Sequence, residues 1–183
     1  DVSGNTIIIN STAQTGMAEG IYLDTLSGSV IENNIIKVST IGACANYGMQ
    51  LADSYAFMGY YDDYAPSPYD VTIRGNQVFL NSVDKAYGIT VISIFGWGPE
   101  MTDIVKDLVV ADNLVNIVSE KGAIAIGTKG SDVEVTGNTV FVIADAEAIN
   151  EGFIDGEFGN VSAATQAQFV KELMAVETKF SKP

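Results

Sequence analysis

One short phrase, written five times, limits what this chain can become. It reads VSGNTIIIN from Val2, SVIENNIIKV from Ser29, VTIRGNQVFLN from Val71, LVVADNLVNI from Leu108 and VEVTGNTVFVI from Val133. Aligned on the shared asparagine, it puts Asn5, Asn34, Asn76, Asn113 and Asn138 at one position. An aliphatic side chain follows two residues later (Ile7, Ile36, Val78, Val115, Val140) and another four later (Ile9, Val38, Leu80, Ile117, Val142). A third stands three residues before, at Val2, Ile31, Ile73, Val110 and Val135. Period-two alternation on both sides of a fixed polar residue marks two short strands joined by a sharp bend. The residue preceding each asparagine is Gly4, Asn33, Gly75, Asp112 or Gly137, the types that tolerate positive φ. One turn geometry is specified five times.

Successive asparagines are 29, 42, 37 and 25 residues apart, and a glycine-led phrase falls between them: GIYL at Gly20, GMQL at Gly48, GITV at Gly88 and a looser GAIAI at Gly122. Each unit therefore contains a strand, the asparagine bend, a second strand, a linker, a glycine-led strand and a corner. No such unit buries its own apolar face, whereas units stacked along an axis do. Three short strands per unit without helical periodicity predict an all-β parallel β-helix of about five coils, over residues 1–157. The asparagines are then expected to face inward as a ladder, each amide bonding the bend and its neighbours at about 4.8 Å spacing. That is a structural role.

The phrase GIYLDTLSGSVIENNII, with its partners, resembles the right-handed parallel β-helix repeat. The repeat is shared by polysaccharide-processing enzymes and by large cell-surface proteins, including adhesin-like proteins of methanogenic archaea. The resemblance spans roughly residues 1–154 and implies the fold; one scaffold carries many activities.

Composition narrows the partners. The 183 residues carry a formal charge of −14, no histidine and one arginine, Arg74. Nucleic acid and anionic lipid both need Lys and Arg to neutralise phosphate, so neither is expected. No apolar run is long enough to span a bilayer. Cys44 is alone, excluding an internal disulfide, and reads as small buried filler. The chain opens inside a repeat, which suggests a piece of a longer extracellular or cell-surface protein; the sequons at Asn10 and Asn160 are compatible with that setting.

Corner length carries the functional signal. The corners at residues 24–29, 52–70, 92–107 and 127–132 hold 6, 19, 16 and 6 residues. Equivalent corners of a solenoid lie side by side, and insertions gather on a binding face. The two long ones contain Tyr55, Phe57, Tyr60, Tyr61, Tyr64, Tyr69, Phe95 and Trp97 with Asp53, Asp62, Asp63, Asp70, Glu100, Asp103 and Asp107. Rings beside carboxylates suit sugar recognition; alternatively the rings pin the loops to the barrel. The expected ligand-binding set is Tyr55, Tyr60, Tyr61, Asp62, Asp63, Tyr64, Phe95 and Trp97, presented to a polysaccharide or surface protein.

Catalysis is not expected. Asp62 and Asp63 are the carboxylates that a polysaccharide hydrolase or lyase would use, but the accompanying histidine and basic motifs are absent. A spacer or surface-layer module is the further alternative. No cofactor is expected. Calcium is the one ion whose oxygen ligands are plentiful, at Asp62, Asp63 and Asp70 and at Asp145, Glu147, Glu151, Asp155 and Glu157, although neither an EF-hand nor a nonapeptide repeat occurs. Residues 158–183 differ in kind. Phe169, Leu173, Val176 and Phe180 recur at helical spacing after a candidate N-cap, Ser162, predicting an amphipathic helix that covers the open end of the last coil.

Overall fold

The computed structural model describes residues 1–24, 26–52, 69–91, 106–128 and 133–144. Among them every ladder is parallel. Three sheets form. The first holds β1 (Val2–Ser3), β4 (Ser27–Glu32), β7 (Tyr69–Arg74), β10 (Lys106–Ala111) and β13 (Val133–Thr136). The second holds β2 (Thr6–Ser11), β5 (Ile35–Thr40), β8 (Gln77–Ser82), β11 (Leu114–Ser119) and β14 (Thr139–Ile143). The third holds β3 (Met17–Asp24), β6 (Ala45–Ala52), β9 (Lys85–Val91) and β12 (Gly122–Thr128). In each sheet strands follow chain order, so each of the first four circuits adds one strand to each sheet, a solenoid-like arrangement consistent with a parallel β-helix.

The repeated aliphatics fill the space between the sheets. Ile31, Ile73 and Val110 line the first sheet, Ile36, Val38, Val78, Leu80, Val115 and Ile117 the second, and Met49, Leu51, Ile89, Val91 and Ile126 the third; all are at most 2% exposed. Parallel strands need this cover because they leave no face free to hold apolar residues in water.

The asparagine column sits where the first sheet bends into the second. Asn34 donates from its backbone N–H and from Nδ2 to Asn76 Oδ1, at 3.0 and 2.9 Å. Asn5 does the same to Asn34 Oδ1, Asn76 to Asn113 Oδ1 and Asn113 to Asn138 Oδ1. Each Nδ2 of the later four also donates back one coil, to the carbonyls of Val2, Ile31, Ile73 and Val110. Asn34, Asn76 and Asn113 are buried with amide donors and acceptors used. Asn5 is exposed and Asn138 half-buried, since among the described residues each has a neighbouring coil on one side only. The preceding residues all take the left-handed conformation, with φ of 67° at Gly4, 55° at Asn33, 62° at Gly75, 54° at Asp112 and 64° at Gly137.

Several boundaries differ from the sequence reading. β3 begins at Met17, ahead of the glycine-led phrase at Gly20, and β4 begins at Ser27, inside the corner expected over residues 24–29. In the third sheet, Gly20, Gly48 and Gly88 share one column, but register places Ala125 there and not Gly122, which pairs with Lys85. A Cβ at Gly48 would lie 2.6 Å from the Gly88 carbonyl oxygen, so the column admits almost no side chain except at its last member. A second polar column closes the bend from the second sheet into the third. Thr40, Ser82 and Ser119 are buried in register, and their hydroxyls bond the carbonyls of Cys44, Lys85 and Gly122. Cys44 is buried beside them, as its composition suggested, and burial pushes its thiol pKa up.

Candidate functional site

The long corners depart from, and return to, neighbouring strands. β6 ends at Ala52 and β9 at Val91, and these strands pair through Leu51 and Val91. β7 starts at Tyr69 and β10 at Lys106, and these two residues pair directly. Segments 53–68 and 92–105 are therefore anchored side by side at both ends. The side chains expected to bind ligand, Tyr55, Tyr60, Tyr61, Asp62, Asp63, Tyr64, Phe95 and Trp97, lie outside the described residues. So do Asp145, Glu147, Glu151, Asp155 and Glu157.

Two of the corner carboxylates prove to belong to strands. Asp70 sits in β7 and Asp107 in β10, with φ of 52° and 51°. With Gly28, at 56°, they form a second left-handed column six residues before the asparagines. A short polar side chain that tolerates this conformation explains aspartate there without any ligand. Among the described residues no three potential metal-binding side chains converge. Arg74 points out of the first sheet and donates from Nε to Glu32 Oε2 at 2.7 Å, a pair in which the arginine is exposed.

Sequence reasoning missed the outer face of the third sheet, the sheet from whose strands both inserts depart. Register aligns Glu19, Tyr47, Tyr87 and Ile124 in one row, and Tyr22, Gln50, Thr90 and Gly127 in the next. The rings of Tyr47 and Tyr87 stack, with centroids 4.7 Å apart and planes at 11°. Tyr47 is buried and Tyr87 half-buried, while Tyr22 is exposed with its hydroxyl 3.4 Å from Asp24 Oδ2. Burial pushes the Glu19 carboxyl above the usual carboxylate range. Burial, then the neighbouring Tyr87 and Glu19, raise the Tyr47 phenol well above its usual value. Gln50 Oε1 is buried and accepts no hydrogen bond among the described residues. The strip thus sets a stacked, largely buried ring pair and the exposed Tyr22 hydroxyl on the sheet from whose strand ends both inserts depart. Its signal was in the sequence: tyrosine precedes the columnar glycine in both NYGM and AYGI.

No family model, curated protein or solved structure matches the chain.

Proposed function

We propose that the chain is a stretch of right-handed parallel β-helix of the adhesin-like, cell-surface kind, non-enzymatic, offering its two long corners to a glycan or protein partner. The right hand follows the strong general preference of parallel crossover connections. The carrying observation is the shared anchorage: residues 53–68 and 92–105 spring from paired strands and return to paired strands. Such anchorage would bring the aromatic and acidic residues of both segments to one edge. Rings cover the apolar face of a sugar while carboxylates accept its hydroxyl hydrogens. With a net charge of −14, a neutral or basic partner is favoured over a polyanion. Residues 158–183 are read as an amphipathic helix from the spacing of Phe169, Leu173, Val176 and Phe180.

The test is binding to a glycan array and to candidate surface proteins, with Trp97→Ala and Tyr61→Ala variants. The expected result is a ligand whose affinity falls roughly tenfold or more in each variant, the size of an aromatic anchor's contribution. Retained affinity in both variants would remove the inserts from the site. Release of reducing sugar or unsaturated uronate would establish the hydrolase or lyase instead, and the absence of any ligand would leave the spacer module.

A further inference from the structure

The asparagine column has an unfinished end. In each of the first four coils, four groups at the bend bond to the coil that follows. The left-handed residue donates its backbone N–H to a carbonyl, at Glu32, Arg74, Ala111 and Thr136 in turn. The asparagine donates its backbone N–H and Nδ2 to the next asparagine's Oδ1. Its carbonyl accepts from the residue after that asparagine, at Ile35, Gln77, Leu114 and Thr139. In the fifth coil the Gly137 N–H, the Asn138 N–H, the second Nδ2 hydrogen and the Asn138 carbonyl bond to nothing among the described residues. Asn138 is half-buried, where unmet polar groups are costly. What fits this end is an amide oxygen with a carbonyl two residues before it and an N–H one residue after it.

We propose that Gly159 and Asn160 supply it as a sixth, truncated bend. Glycine, asparagine or aspartate stands directly before an asparagine six times in the whole sequence; five of those pairs build the column, and Gly159–Asn160 is the sixth. Asn160 follows Asn138 by 22 residues. A circuit of that length results when each part takes a length already seen. It has five residues in β14, two in the linker as between β8 and β9, and seven in the third-sheet strand as in β9. The return then takes two, as between β3 and β4, and the first-sheet strand four, as in β13, before the glycine and asparagine. Asn160 Oδ1 would accept both Asn138 donors, the Phe158 carbonyl would accept from Gly137, and the Val161 N–H would reach the Asn138 carbonyl. The aliphatics flanking the other five asparagines are replaced by Glu157 three residues before and Ser162 two after. That suits a bend at which the chain leaves the solenoid, since Ser162 is the candidate N-cap of the helix carrying Phe169, Leu173, Val176 and Phe180. The inference is independent of what the corner inserts bind.

The experiment is amide hydrogen exchange, read by NMR on the full, isotope-labelled chain. The Asn138 N–H is expected to be protected in the unaltered protein. Asn160→Ala should lower that protection about tenfold or more while leaving the Asn76 N–H unchanged, the size of one buried hydrogen bond lost at the end of the column. Asn150→Ala, in the same segment but preceded by isoleucine, should change neither. Gly159→Asn should keep the protection, because Asn33 already takes the left-handed conformation, and Gly159→Val should lose it. If Asn160→Ala unfolds the chain, the two Gly159 variants decide, and equal protection in both overturns the proposal. Exchange of the Asn138 N–H at the open-chain rate in the unaltered protein overturns it too, as does unchanged protection in Asn160→Ala or an equal loss in Asn150→Ala.

Discussion

The bend between the first and second sheets and the return from the third sheet to the first obey opposite rules. The bend is the same in all five coils: a left-handed residue, then an asparagine whose amide bonds the adjacent coils, on both sides at Asn34, Asn76 and Asn113. The return ranges from two residues, between β3 and β4, to sixteen, between β6 and β7. The difference lies in what each segment must satisfy. At the bend, backbone and amide groups are buried, and each acceptor comes from the adjacent coil, so no coil varies without orphaning another's donors. The return has no such column of shared amides to keep in step, and added loop length by itself costs little. The solenoid is constant where coils depend on one another and variable where they do not.

The comparison breaks most readily in the middle of the column. Asn76→Ala strips the acceptor from the Asn34 backbone N–H and Nδ2 and the donor from the Ile31 carbonyl. With each buried orphan costing about 1–3 kcal/mol, a loss of roughly 3–5 kcal/mol is expected in denaturant unfolding. Asn5→Ala, exposed at the end, is expected to cost about 1 kcal/mol or less. Next comes Gly48→Ala, whose Cβ meets a Val78 methyl and the Gly88 carbonyl oxygen. Overpacking of this kind should cost about 1–3 kcal/mol, whereas Ala125→Gly in the same column should cost below about 1 kcal/mol; thermal melts distinguish them. Ser82→Ala, in the hydroxyl column, should lose roughly 1 kcal/mol, showing the second bend to be the weaker constraint.

A smaller effect is written in pH. The Glu19 carboxyl is held above its ordinary 4.5 by burial, so the folded state binds its proton more tightly than the unfolded state. Its contribution to stability is present below that ordinary value and is lost as pH rises through the elevated folded value. Glu19→Gln should remove this downward slope from unfolding curves recorded across mildly acidic pH. Smallest of all, replacing residues 53–68 with a short turn should leave the melting temperature nearly unchanged, since a doubling of loop length costs only about 0.6 kcal/mol. The same change should abolish binding.

The asparagine column was legible because its residues stand at one place in a repeated phrase, flanked by alternation that only a two-strand bend satisfies. Two further columns were equally regular but went unread. Gly28, Asp70 and Asp107 lie six residues before the asparagine, and Thr40, Ser82 and Ser119 six after it. The aspartates looked like ligands because their sequence neighbours are acidic and aromatic, whereas backbone conformation decides their identity. Gly122 was mistaken for a member of the glycine column because composition attracted the alignment; the steric limit falls three residues later, where alanine is tolerated. The tyrosine strip escaped notice because a tyrosine before the glycine recurs in only two units, and register is what brings Tyr47 onto Tyr87.

A double-mutant cycle on Asn34 and Asn76 tests the interdependence of coils most directly, with Asn34 and Asn138 as the distant control. Mutual bonding through a shared buried amide predicts a coupling energy of about 1 kcal/mol or more for the first pair and near zero for the second. Additive effects in both cycles would contradict it, leaving five independent turns in place of one continuous column.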